Sequence, residues 1–205
     1  MFAVLPTRNA VLLPGAVAEL AVGRARSVAA LRHAATQGEP VLVLLQRTPA
    51  VDEPEPPALN TVGTLATVLE ASRAAPGVAH VGVRGLQRVR VTAWEQRGDL
   101  LLAAVDLLPW APPEPALSEP LACTLGALLE HGLRHQLSPI TFGALEARAG
   151  VEQLAALSQV APLSPEALQR ALEEESLTAV AAALESLRDE RWLSRLLRWL
   201  RARAR

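Results

Sequence analysis

His131 and His135 lie four residues apart in EHGLRHQL, the spacing that puts two imidazoles on one helix face and that metal pairs use. No third ligand is evident, Glu130 points elsewhere on such a helix, Gly132 weakens the turn, and the order is not HExxH, so solvated or hydrogen-bonded histidines are the better reading. Ser118, Ser138 and Thr141 carry hydroxyls, yet no His and acid stand at a spacing that points to a triad; caps and turns account for them. Cys123, the single cysteine, excludes a disulfide framework and sits in LACTLGALL as a small apolar side chain rather than a reactive thiol. Gly82 and Gly85 bracket Arg84 in GVRGLQR, a run reminiscent of a phosphate loop. It lacks a following helix with free amides, so a tight turn or bulge between strands is expected. No catalytic residue, metal site or cofactor is assigned.

Two groups of arginines invite a partner. Arg84, Arg88 and Arg90 alternate onto one face of a strand, where they could meet phosphate or carboxylate, or simply pair with neighbouring acids in water. The end of the chain, RWLSRLLRWLRARAR, sets Trp192, Leu196 and Trp199 on a broad apolar side with arginines around it. From Arg188 onward seven arginines face only Asp189 and Glu190, a local charge of +5 in a chain whose net charge is −1. Such a helix packs on its own bundle, self-associates or docks on a partner protein, or lies on a membrane or nucleic acid.

The elements that must position these residues fall into two kinds. A chain of 205 residues, half of them apolar, buries a real core, and with 20% charged residues it is neither disordered nor globally basic. Up to Leu108 the pattern is β-rich. Strands are expected at Phe2 to Leu5, Glu19 to Val22, Val41 to Gln46, Val62 to Ala71, Val78 to Val83, Gln87 to Glu95 and Leu100 to Leu107, with Ala75-Pro76-Gly77 as a turn. One helix, Arg24 to Thr36, interrupts them; Gly38 stands where a left-handed cap belongs and Pro40 bars continuation. Thr48 to Leu59, with four prolines and three acids, reads as an exposed loop.

Five prolines between Pro109 and Pro120 mark a boundary, after which the apolar period becomes helical. Helices are expected at Glu119 to Leu137, Gly143 to Ala149, Val151 to Gln159, Ser164 to Glu174, Leu177 to Leu187 and Glu190 to Arg203. Ser164-Pro165-Glu166 is a specific start signal. The domains are thus residues 1–110, a linker at 111–120, and a bundle at 121–205. Pro6, Arg8 and Pro14 interrupt what a signal peptide would need, and no 18-residue apolar run follows, so a cytoplasmic location is expected.

Four blocks in order carry a family likeness. They are Leu5-Pro6-Thr7-Arg8-Asn9 through Leu13-Pro14-Gly15; Val22-Gly23-Arg24 with the helix through Ala29-Ala30-Leu31; Val51-Asp52-Glu53-Pro54 followed by Val62-Gly63-Thr64-Leu65-Ala66; and Val83-Arg84-Gly85-Leu86-Gln87-Arg88-Val89-Arg90-Val91. The sequence resembles the amino-terminal domain of Lon proteases over about residues 2 to 108, with Asn9 where the family usually has Asp and Leu13 where an aromatic residue often precedes Pro-Gly. The resemblance implies an α+β protein: a PUA-like β-barrel with one interrupting helix, then an α-helical bundle, recognising unfolded or tagged protein substrates. Lon's ATPase and Ser-Lys peptidase each need a lysine, and this sequence has none, so a stand-alone member without either engine is expected.

Peptide capture would fall to the loop and strand edge at Leu13, Pro14, Gly15 and Val17, and to Trp94 and Trp110 near the junction; core packing is the competing role for the tryptophans. The expected function is a non-catalytic protein-binding module for exposed apolar segments of client proteins, adapting or regulating a separate protease. Self-association through the final helix is a further expectation. The competing reading is an RNA-binding PUA-like protein, which a sequence pI near 6.4 and the scarcity of aromatic residues disfavour.

Overall fold

The structure, a computed structural model, describes residues 1–75, 78–109 and 164–174. The chain divides into two compact units, Met1–Pro109 and Trp110–Arg205.

In the first unit, β1 (Phe2–Thr7), β2 (Val17–Val22), α1 (Ala25–Gln37), β3 (Val41–Leu45), β4 (Val62–Ala75), β5 (Val78–Arg97) and β6 (Leu100–Leu107) follow in order. β1 runs parallel to β3, and β3–β4, β4–β5, β5–β6 and β6–β1 are antiparallel, so five strands pair in a closed ring. β2 is appended to β5 at residues 79–84, on the edge that β6 occupies further along, at residues 89–97. The link between β6 and β1 is short: it covers Phe2 and Ala3 alone.

The five consecutive apolar residues of β3 are all buried, as expected of a strand covered on both faces. On one side Val4, Leu42, Leu44, Leu59, Leu65, Val89, Val91, Leu101 and Ala103 form the core. On the other, Ala30 of α1 packs against Ala3 and Leu102. α1 ends as its sequence dictates, with Gly38 at φ 67° donating its N–H to Ala34 and Pro40 following.

Three readings need correction. Val78 to Val83 and Gln87 to Glu95 are one strand rather than two, because the glycines mark a bulge: Leu65 faces Gln87 while Ala66 faces Gly85, leaving Leu86 as the extra residue. A second bulge leaves Leu69 of β4 unmatched, between Val68 opposite Val83 and Glu70 opposite Gly82. The proline-rich loop is not wholly exposed, since it winds through a 3-10 turn at Pro56–Ala58 and ends with Leu59 in the core. Finally, β1 runs on to Thr7, and β3 stops at Leu45 with Gln46 forming a lone bridge to Leu59.

In the second unit, α2 (Pro165–Glu173) starts where Ser164 predicts, its hydroxyl accepting from the Ala167 amide at 3.2 Å, and Leu168, Ala171 and Leu172 are buried. The other expected helices, the linker, and Trp110, Ser118, Cys123, His131, His135, Ser138, Thr141, Trp192, Leu196 and Trp199 lie outside the described residues.

Candidate functional site

Two neighbouring surfaces of the first unit combine accessible apolar side chains with polar groups. The first is built by the Arg8 to Ala16 loop, which is fastened from several directions. Thr7 Oγ1 donates to the Ala10 carbonyl at 2.5 Å, Thr64 Oγ1 to the Leu12 carbonyl at 2.6 Å, and Gly15 N–H to the Gly85 carbonyl at 3.0 Å. Gly85 N–H in turn donates to Ala16 at 2.9 Å. The approach is so close that a Cβ on Gly85 would collide with the Leu13 carbonyl. Leu13 itself is fully buried, so it anchors this loop and offers nothing to a client. Pro14 is half-buried, Gly15 is exposed, and Val17 and the bulged Leu86 and Leu69 each leave over two-fifths of their surface in solvent. These are large apolar groups held out by backbone geometry.

Trp94 packs half-buried against the core, which takes its ring for structure. The three arginines of β5 do not share a face, because the bulge at Leu86 puts Arg84 out of step with Arg88 and Arg90, which keep regular alternation. Arg84 and Arg90 are exposed, but Arg88 is only 3% exposed and donates from Nε to the Leu108 carbonyl at 2.8 Å and from Nη2 to the Pro109 carbonyl at 3.0 Å. Arg88 therefore fastens the end of β6, and no three-arginine anion surface forms.

The second surface is a groove of about 450 Å³ lined by Leu5 to Ala10, by Glu19 to Arg24, and by Ser27 and Val78. At one end sits a network that sequence reasoning did not assemble. Arg24 donates from Nη2 to the Pro6 carbonyl at 2.5 Å and from Nη1 to Gln46 Oε1 at 2.5 Å and the Asp52 carbonyl at 2.9 Å. Gln46 Nε2 donates onward to the Val51 carbonyl at 2.8 Å. Arg8 pairs with the Asp52 carboxylate, and buried Arg26 faces Glu53 Oε2 at 3.4 Å, an ion pair without hydrogen-bond geometry. Burial, then the charge of Arg8, pushes the Arg24 guanidinium below its ordinary range, while Glu53 and Asp52 pull it back. The arginines reach partners 18 to 44 residues away, and the one sequence hint was the pairing of an acid-rich loop with arginines elsewhere. Among the described residues no group of three or more His, Cys, Asp or Glu could hold a metal, and no helix is long and apolar enough to cross a membrane.

The architecture is that of Lon amino-terminal domains. The N-terminal domain of Mycobacterium avium complex Lon protease superposes with a TM-score of 0.74 at 20% identity, covering 94% of this chain and 97% of that one. The Lon N-terminal domain protein from Xanthomonas campestris gives 0.57 at 21% identity, covering 91% and 95%. In sequence, Lon protease of Escherichia coli K12 is 35% identical over 105 residues, which is 51% of this chain and 13% of that protein. Lon protease of Rhizobium meliloti is 30% identical over 144 residues, 69% of this chain and 18% of the relative. The chain thus spans less than a fifth of the length of these relatives. The family model of the ATP-dependent protease La (LON) substrate-binding domain matches residues 2–187, and the chain belongs to that family.

Proposed function

We propose that this domain binds other polypeptides without chemistry of its own, holding exposed apolar segments of unfolded or partly folded clients. The observation that carries the reading is the set of exposed apolar side chains, Val17 on β2 and the bulge-presented Leu69 and Leu86, beside the pinned Pro14-Gly15 loop. A rigid sheet that keeps apolar groups in water at a fixed place is suited to sequence-tolerant capture. Membership of a family of substrate-binding domains supports it, as does a match to that domain rather than to a peptidase. We infer further that the closed sheet is PUA-like, that the second unit is a helical bundle, and that the domain serves a protease as adaptor or regulator in the cytoplasm. The chain's arginine-rich end would serve self-association.

An RNA-binding role loses its main support in the described residues, because Arg88 is spent on backbone carbonyls. The test is aggregation of an unfolded client at equimolar protein. Delayed aggregation that is lost in Val17→Asp/Leu86→Asp, with an unchanged melting temperature, is the expected outcome. No delay, together with RNA binding that collapses between low and moderate salt, would replace the reading.

A further inference from the structure

A ring of strands has a defect wherever two strands come side by side without pairing. Here β6 bonds β1 only at Phe2 and Ala3, and the rest of β1 lines the groove opposite β2 with no pairing between the two. Among the described residues β2 pairs with β5 alone, and its Glu19 to Val22 stretch borders the groove. An edge of this kind is a template for a further strand, because outward N–H and C=O groups lack ladder partners. The opposite lip is a poor one. Pro6 has no N–H, its carbonyl already accepts from Arg24, and the Thr7 carbonyl accepts from the Gln46 amide at 2.8 Å on the β3 side.

The lining also selects a guest. Leu5, Leu20 and Val22 supply an apolar floor, while Arg8 and Arg24 make one end cationic. Arg8 keeps 42% of its side chain in solvent and its partner Asp52 keeps 85%, so a stronger carboxylate partner displaces Asp52 easily. Asn9, also in the lining, adds no negative charge, and the one acid of the lining, Glu19 on β2, is paired with His80. The guest is therefore apolar along its length and acidic at one end.

We propose that the seam between β1 and β2 takes an extended peptide as an added strand on β2, with a carboxylate against Arg8. This rests on the reading of the domain as a polypeptide binder and names where and how a client segment is held. The four residues Glu19 to Val22 correspond to roughly 13 Å of strand, so about four residues of a guest pair there and a hexapeptide reaches past both ends. Main-chain bonds supply affinity, and alternate side chains on the floor supply preference.

The test uses the full chain and a fluorescent hexapeptide of alternating Val and Thr ending in Asp, followed by anisotropy. Two further peptides carry N-methyl groups on alternate amides, in one phase or the other. Strand addition predicts that one phase loses binding at least about tenfold and the other retains it, since only alternate amides face the template. Removing either the Asp carboxylate or the terminal one tells which source the site reads; loss of the correct one weakens binding roughly tenfold, as does Arg8→Gln. Ala21→Glu, at an exposed groove position, should weaken the acidic peptide with no change in melting temperature. Equal binding of both methylated series, or full affinity in Arg8→Gln, overturns the proposal. If the hexapeptide fails while the protein still delays client aggregation, the seam idea falls and the binding role stands; if both fail, both fall.

Discussion

Where β6 bridges β5 and β1, the wall is closed by ladder bonds with Val4, Leu101 and Ala103 packed behind them; where β2 faces β1, no ladder crosses and the parts are tied by Arg8, Arg24 and Gln46. The first closure is backed by apolar packing, so salt is expected to leave it unchanged. The second is polar, partly solvated and open enough to leave a groove. One molecule thus separates stability from access: the end that holds the fold together and the end that can receive something are distinct, and each should answer to different perturbations.

Four substitutions test that division. The largest effect is expected from Leu44→Ala, which leaves a cavity in the core and should cost about 2–5 kcal/mol, read as a fall in chemical-denaturation midpoint that does not depend on salt. Arg24→Ala deprives the Pro6 and Asp52 carbonyls and Gln46 of their donor, and should cost about 2–3 kcal/mol. Hydrogen exchange should then rise around Pro6 and the Thr48 to Pro54 loop but not in β6; a uniform rise would mean that the two ends are one cooperative unit. Gly85→Ala forces the Leu13 carbonyl away and should cost about 1–2 kcal/mol, with increased proteolysis between Arg8 and Ala16. Asp52→Asn removes an exposed pair worth under about 1 kcal/mol, and whatever loss is seen should vanish at high salt. A large, salt-independent loss there would show that the polar end is as structural as the core.

Much of the described structure was legible along the chain. The Gly38-Pro40 stop, the buried run of β3 and the Ser164 cap are local signals, decided by a few adjacent residues. The single length of β5 was not legible, because Gly82 and Gly85 look the same in sequence whether they break a strand or let a neighbour come close. The extra residue at Leu86 also defeats alternation, so Arg84 is out of step with Arg88 and Arg90, and Arg88 is buried because the chain after β6 folds its Leu108 and Pro109 carbonyls onto it. Of the capture residues, Pro14, Gly15 and Val17 reach the surface, while Leu13 and Trp94 pack inward. The groove and its arginines could not be read at all, since they follow from which strands fail to meet, and that is set by pairings between distant segments.

β5 carries β4 on one edge and β2 and β6 in tandem on the other. In mechanical terms it is a spar: a tug on β2 loads a row of hydrogen bonds in shear and is passed through one unbroken backbone to the remaining wall. A segment gripped at that edge could be pulled on hard before its holder deformed.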